Sequence, residues 1–96
     1  MVYDPSAEGG REAVLTLENA RLQQPARVLE LAGGMGVRSH LNTLGIHVGD
    51  TVRVVERAPF KGPVLIEVHG TRVALGRGVA RKVKVEHDAV RSGRTA

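Results

Sequence analysis

Four histidines, His40, His47, His69 and His87, and the run Glu86-His87-Asp88 are the side chains here best suited to proton transfer or to holding a metal ion. Imidazole and carboxylate together suit several first-row divalent metals. Their spacing argues against a ligand set. In an extended chain residues 86 and 88 share one face while His87 points to the other, and no two-histidine-one-carboxylate arrangement can be traced along the sequence. No motif joins a nucleophile to a base and an orienting group, so no catalytic residue is assigned and no enzyme is expected. Cysteine is absent, which removes zinc ribbons, iron–sulfur clusters, disulfides and thiolate nucleophiles together and is consistent with a reducing cytoplasm. Gly33, Gly34 and Gly36 precede a helical stretch, the crudest template of a phosphate cradle. Neither the lysine and hydroxyl of a P-loop nor the βαβ setting of a dinucleotide fold accompanies them, so they are read as conformational. No metal and no cofactor is assigned.

The elements that must carry these residues are small. Ninety-six residues, 42% hydrophobic but only 2% aromatic, allow one domain whose core is built from Val, Leu and Ile. Branched aliphatics in short runs favour sheet. Residues 1–12 lack periodicity and carry Pro5, Ser6, Gly9 and Gly10, and residues 89–96 are similar; both are expected to be disordered tails around a domain of residues 13–88. No apolar run is long enough to cross a bilayer and no secretory leader is evident at the start, which predicts a soluble, unexported, cytoplasmic protein.

Thr16 is placed to cap a brief helical turn over Leu17–Leu22, ended by Gln23, Gln24 and Pro25. A first strand follows over Ala26–Leu31, with either Val28 or the Leu29 and Leu31 pair facing inward. The glycine loop then leads to a helix over Val37–Leu44. Gly45 is suited to the left-handed residue that closes a helix, with Ile46 as the apolar contact after it. Leu44 and Ile46 are expected mainly inward, and Leu41 is divided between core and surface. Gly49-Asp50 turns the chain into a strand over Thr51–Arg57. Ala58–Pro63 reverses it, and Phe60 at the tip either projects or folds back over the barrel mouth. The clearest strand is next, with Val64, Ile66 and Val68 on one face and Leu65, Glu67 and His69 on the other. Gly70-Thr71 is read as a tight turn into Arg72–Leu75, an irregular turn spans Gly76–Arg81, and Val83 and Val85 mark a last strand. Five short strands with one short helix between the first two make an all-β chain. Curling into a small barrel buries the valines and limits open edges.

The segment from Ala26 to His87 resembles the ferrous iron transport protein A (FeoA) family. The resemblance rests on Ala26-Arg27-Val28, the glycine loop with Arg38, Leu41-x-x-Leu44-Gly45-Ile46-x-x-Gly49, Val54-x-x-Arg57-Ala58-Pro59, Gly62-Pro63 and Val73-Ala74-Leu75, with Leu15-Thr16-Leu17 similar to the family's opening. It implies an SH3-like barrel that accompanies the membrane GTPase importing ferrous iron, and so a noncatalytic cytosolic accessory that binds and modulates that GTPase. Gly76 and Gly78 stand where relatives carry charged, helix-compatible residues, which predicts a looser turn before the last strand. Related barrels also end iron-dependent repressors, but this chain lacks the length for a preceding DNA-binding domain.

Charge and aromatic content bear on other partners. The net charge of +4 is concentrated at the end, where residues 71–96 hold seven Lys/Arg and two Asp/Glu. A basic tail of this kind can meet RNA or the ribosome, the alternative function. With only Tyr3 and Phe60 as aromatics, neither a polyproline groove nor a base-stacking platform can be built, so nucleic-acid contact would be electrostatic and salt-sensitive. Arg38 or Arg72 as an arginine finger is weaker than the reading of both as ordinary surface residues. The expected partner surface is the helix with its flanking loop, presenting Met35, Arg38, Leu41 and Asn42, and a second candidate is Phe60.

Overall fold

Alternation of branched aliphatic and polar residues fixes the frame, because each strand must turn its Val, Leu and Ile to one side. The structure, a computed structural model, describes residues 15–87; the expected tails at either end lie outside the described residues. Six strands, β1 (Leu15–Thr16), β2 (Ala26–Leu31), β3 (Thr51–Arg57), β4 (Val64–Val68), β5 (Thr71–Leu75) and β6 (Val83–His87), form one antiparallel sheet in the order β1-β6-β2-β3-β4-β5. Helix α1 (Met35–Thr43) joins β2 to β3, and a single turn, α2 (Arg77–Ala80), joins β5 to β6. The sheet curls around one aliphatic core that includes Val28, Val52, Val54, Ile66, Leu75 and Val83.

Two irregularities make the curl. Pairing of β2 with β6 shifts register between Val28 and Glu30, and pairing of β3 with β4 shifts between Val54 and Glu56. Such bulges bend a strand and raise its twist, which a small barrel needs. The bulge in β2 also resolves its ambiguous pattern. Val28 and Leu31 both face the core and Leu29 faces solvent, so the strand follows neither of the two simple alternations.

The end of α1 is a Schellman cap. Gly45, at φ +92°, donates its N–H to the Asn42 carbonyl at 2.9 Å, and Ile46 donates to the Leu41 carbonyl at 2.9 Å. Both carbonyls would otherwise lack a partner at the helix end. Leu41 and Ile46, the residues that should touch in this motif, are each 0% exposed. The expected order of the two leucines is thereby corrected. Val37, Leu41 and Leu44 share one helical face, but Leu41 lies at its buried centre and Leu44 is only partly covered.

Other expectations also change. The brief helical turn expected over Leu17–Leu22 is shorter, a turn at residues 17–19 closed by the Asn19 N–H on the Thr16 carbonyl at 3.0 Å, and before it Leu15 and Thr16 pair with Val85 and Lys84, giving a sixth strand and placing α1 between the second and third. Thr16 still caps the turn that follows, its hydroxyl accepting the Glu18 N–H at 3.1 Å while the Asn19 side chain accepts the Thr16 N–H at 2.8 Å. The segment read as an irregular turn at Gly76–Arg81 holds the helical turn α2, despite Gly78 within it. Its backbone closes through Ala80 to Gly76 at 2.9 Å and Arg81 to Arg77 at 3.1 Å. The β4–β5 turn is His69-Gly70, at φ +52° and +77°, one residue earlier than read from the sequence.

Candidate functional site

Residues 35, 38 and 42 fall within about a quarter of the helix circumference, so Met35, Arg38 and Asn42 line the outer face of α1, opposite Val37, Leu41 and Leu44. Met35 is 73% exposed. Arg38 and Asn42 look across a cleft of about 370 Å³ toward Leu29, Glu30 and Leu31 of β2 and toward His47 and Val48 of the turn after α1. Each wall has a local cause. The β2 bulge turns Leu29 out, and the Schellman cap folds the chain back so that Val48 stands beside the strand. Leu29 and Val48 are both exposed large hydrophobics, and Glu30 is drawn toward Lys84 at 3.6 Å. Arg38 has no ion-pair partner among the described residues. The cleft has mixed walls, with Leu29, Leu31 and Val48 beside Glu30, Asn42 and His47, and Arg38 at its helix side.

Among the residues expected to form the partner surface, the structure brings Met35, Arg38 and Asn42 together on one helix face. Leu41 does not belong there, because a side chain with no exposed surface cannot meet a partner without unfolding the helix cap. Phe60 is elsewhere, in the loop between β3 and β4, and it projects, 97% exposed, rather than folding over the barrel. Phe60 and Lys61 both take φ +58°, closed by the Gly62 N–H on the Pro59 carbonyl at 3.0 Å. Left-handed backbone is uncommon for a bulky side chain, and the loop that imposes it is closed at its base by the Ala58 N–H on the Pro63 carbonyl at 3.0 Å. A Cβ on Gly62 would lie 2.8 Å from that of Ala58, which requires glycine at that close approach.

A second grouping was not visible in the sequence. Asp50 accepts the His47 backbone N–H at 2.8 Å, lies 3.3 Å from His47 Nδ1 and lies 3.4 Å from His69 Nε2. Burial raises the Asp50 carboxyl, but hydrogen bonds from the His47 backbone and from the two imidazoles outweigh it and hold the carboxyl below its ordinary value. The two rings reach different oxygens of one carboxylate, so the trio is a hydrogen-bonded bridge between the turn after α1 and the β4–β5 turn. No group of three His, Asp or Glu with the geometry to hold a metal ion occurs among the described residues. The pairing of Val52 with Val68 is the signal that predicts this meeting, since it carries Asp50 to the level of the His69-Gly70 turn.

His87, the centre of the triplet singled out above, is occupied structurally. Its Nε2 accepts the Arg21 N–H at 3.1 Å and its Nδ1 lies 2.9 Å from the Pro25 carbonyl, a pair satisfied by the neutral ring protonated on Nδ1. Much of the basic C-terminal quarter is also engaged. Arg81 pairs with Glu18 at 3.1 Å, Lys84 with Glu30, and Arg77 donates to the Ala58 carbonyl at 3.0 Å. No described helix is long and apolar enough to cross a membrane.

The family model described as the FeoA domain matches residues 15–87. A protein of Methanocaldococcus jannaschii described as Fe(2+) transport protein A is 36% identical over 59 residues, covering 62% of this chain and 70% of that one. The crystal structure of an iron uptake regulatory protein, FeoA, superposes with a TM-score of 0.69 at 33% identity over 76% of this chain and 95% of that chain. ScaR crystallised with Zn2+ shares the fold at a TM-score of 0.70 and 26% identity; there the match covers 76% of this chain and 36% of the larger protein.

Proposed function

This chain belongs to the FeoA domain family, and on that premise we propose that it serves ferrous iron uptake as a noncatalytic cytosolic accessory, docking on the cytosolic GTPase part of the membrane transporter. The observation that carries the reading is the cleft between α1 and β2, where exposed Leu29 and Val48 face Arg38, a cation with no ion pair among the described residues, and exposed Met35 lies one turn before Arg38 on the same helix face. Surfaces of this make-up take a partner segment that offers an apolar side chain next to a carboxylate. By binding one nucleotide state of the GTPase better than another, the module would shift the balance of those states in proportion to that difference.

The test is titration of the labelled chain onto the purified GTPase portion in its GDP-bound and GTP-analogue-bound forms. Binding to one form more tightly, weakened about tenfold or more by Arg38→Glu with an unchanged melting curve, is expected, a loss equivalent to about 1.4 kcal/mol. No binding to either form removes the proposed partner. Equal binding by Arg38→Glu and parent removes the cleft as the contact. Filter binding of RNA across a salt series checks the alternative, and retention at physiological salt would favour it.

A further inference from the structure

The loop between β3 and β4, Ala58-Pro59-Phe60-Lys61-Gly62-Pro63, ends in an apolar tip with Lys61 as its one charge. Phe60 is 97% exposed, and the backbone that projects it is closed twice, at the base by Ala58 and Pro63 and at the tip by Gly62 and Pro59. Pro59 and Pro63 are exposed beside it. Ala58 and Pro63 also border a cleft of about 210 Å³ with Leu65, Ala74 and Glu56, so apolar surface runs from the loop onto the outer face of β4 and β5. A lone exposed hydrophobic needs no explanation, whereas a connected apolar patch marks a contact surface.

Cations ring this tip. Arg57 leads into the loop, and Arg77 of α2 reaches it from the side, its Nη2 donating to the Ala58 carbonyl at 3.0 Å. After the larger effect of burial, the charge of Arg77 lowers the Arg57 pKa, so the two guanidinium groups lie close together. Glu18 is held below its ordinary pKa first by the hydrogen bond from Arg81 and then, against desolvation, by the charges of Arg81, Arg77 and Lys61. All four cations therefore gather at one end of the sheet. Among the described residues the carboxylates placed with them are Glu18, engaged by Arg81, and Glu56, at the cleft, so positive charge is in excess around the tip. Lys61 has no ion pair among the described residues.

From this arrangement we infer that the β3–β4 loop docks on an anionic lipid surface, with the Phe60 ring at the boundary of the acyl chains and Lys61, Arg77 and their neighbours against the headgroup phosphates. An aromatic anchor between two proteins fills a pocket, and a base-stacking surface presents several rings in succession. Here a single ring stands on a convex loop with cations behind it. A bilayer receives such a tip without a matching pocket, because its interface is apolar below and negative above. The Lys61 stem can lie along the apolar zone while its ammonium reaches back to phosphate. One ring and a small excess of charge give reversible adsorption rather than stable anchoring. The tip shares no residue with the α1–β2 cleft, so lipid adsorption and the GTPase contact succeed or fail separately.

Co-sedimentation of the full chain with vesicles tests this. Phosphatidylcholine vesicles containing about one-third phosphatidylglycerol should pellet the chain, and phosphatidylcholine alone should leave it in solution. Lys61→Glu reverses one charge and should weaken partition about tenfold or more, and Phe60→Ala should weaken it about fivefold. Both side chains are exposed, so both variants should melt as the parent does. Phe60→Trp supplies a reporter, since the chain has no tryptophan, and its emission should move to shorter wavelength with the anionic vesicles only. Equal pelleting of parent, Phe60→Ala and Lys61→Glu would assign adsorption to other basic residues and overturn the inference. So would a parent that stays in the supernatant or an indole whose emission does not move. Retention of RNA in place of vesicles at physiological salt, lost in Lys61→Glu, would overturn it in favour of nucleic acid.

Discussion

Leu41 and Leu44 lie one turn apart in α1, are the same size and would be treated alike by any hydropathy scale. Their surroundings separate them. Leu41 is wholly enclosed and touches the residue that completes the helix cap, whereas Leu44 is partly covered. Leu41→Ala should therefore cost about 2–5 kcal/mol in urea unfolding, with Leu44→Ala costing less than half as much. Equal losses would mean the helix sits rotated from the orientation described. Gly45→Ala isolates the cap itself: nothing lies within 4 Å of an added Cβ, so its expected cost of about 1 kcal/mol comes from holding alanine at positive φ. A melting midpoint unchanged from the parent would show that the helix end relaxes without strain. At this scale the Leu-Gly-Ile signal was legible, because one residue type answers the need for positive φ. The choice between two leucines three apart was not, since it depends on a rotation of the helix that only the neighbouring strands fix.

Strands carried their own labels where burial is one-sided and pairing is regular. Thr51–Arg57 has the bounds expected of it, and Val64, Ile66 and Val68 alternate as read. The β2 bulge defeated alternation, since one extra residue reverses the face of everything after it. Leu15-Thr16 became a strand because of a partner, β6, that lies almost seventy residues on and leaves no mark on local propensity. Most of the cleft was hidden for the same reason: Arg38 and Asn42 follow from helical spacing, but Leu29, His47 and Val48 join them only through the bulge and the cap. Tertiary ties between elements were equally invisible. Arg57, at the end of β3, donates through Nη2 to the Ala20 carbonyl and to that of Leu17 at 3.3 Å, holding the turn after β1 against the sheet. Burial, and then the nearby positive charge of Arg77, push its pKa down without neutralising it. Arg57→Met keeps most of the apolar stem and removes the donors, so a loss of about 1.5–3 kcal/mol in chemical denaturation is expected, as for a hydrogen bond from a charged group. Hydrogen exchange should then quicken first in residues 17–20; uniform quickening over the whole sheet would show that the turn does not open by itself.

Two carboxylates tie together parts of the molecule that are distant in sequence, and both make its stability depend on acid in the same direction. Glu18, after β1, is held below its ordinary pKa mainly by the hydrogen bond from Arg81, at the end of α2. Asp50 is held down against the opposing effect of burial by the His47 backbone and the two imidazoles, joining the turn after α1 to the β4–β5 turn. A carboxyl whose folded pKa is depressed binds its proton more tightly in the unfolded chain. Its contribution is complete above the unfolded value, about 4 for either residue, and is given up as pH falls through the lower folded value. The share of the thermal midpoint owed to these two carboxyls should accordingly be constant from neutral pH down to about pH 5 and decline below about pH 4. Asp50→Asn retains an acceptor for the His47 N–H but cannot titrate, so it should start lower at neutral pH and descend less steeply on acidification. The Glu18 pair is exposed to solvent and salt, so its share of the acid response should shrink at high ionic strength, as Debye screening requires. The Asp50 share, which rests first on a backbone hydrogen bond, should persist. Identical slopes for parent and Asp50→Asn at high salt would remove Asp50 as the group that couples the two turns.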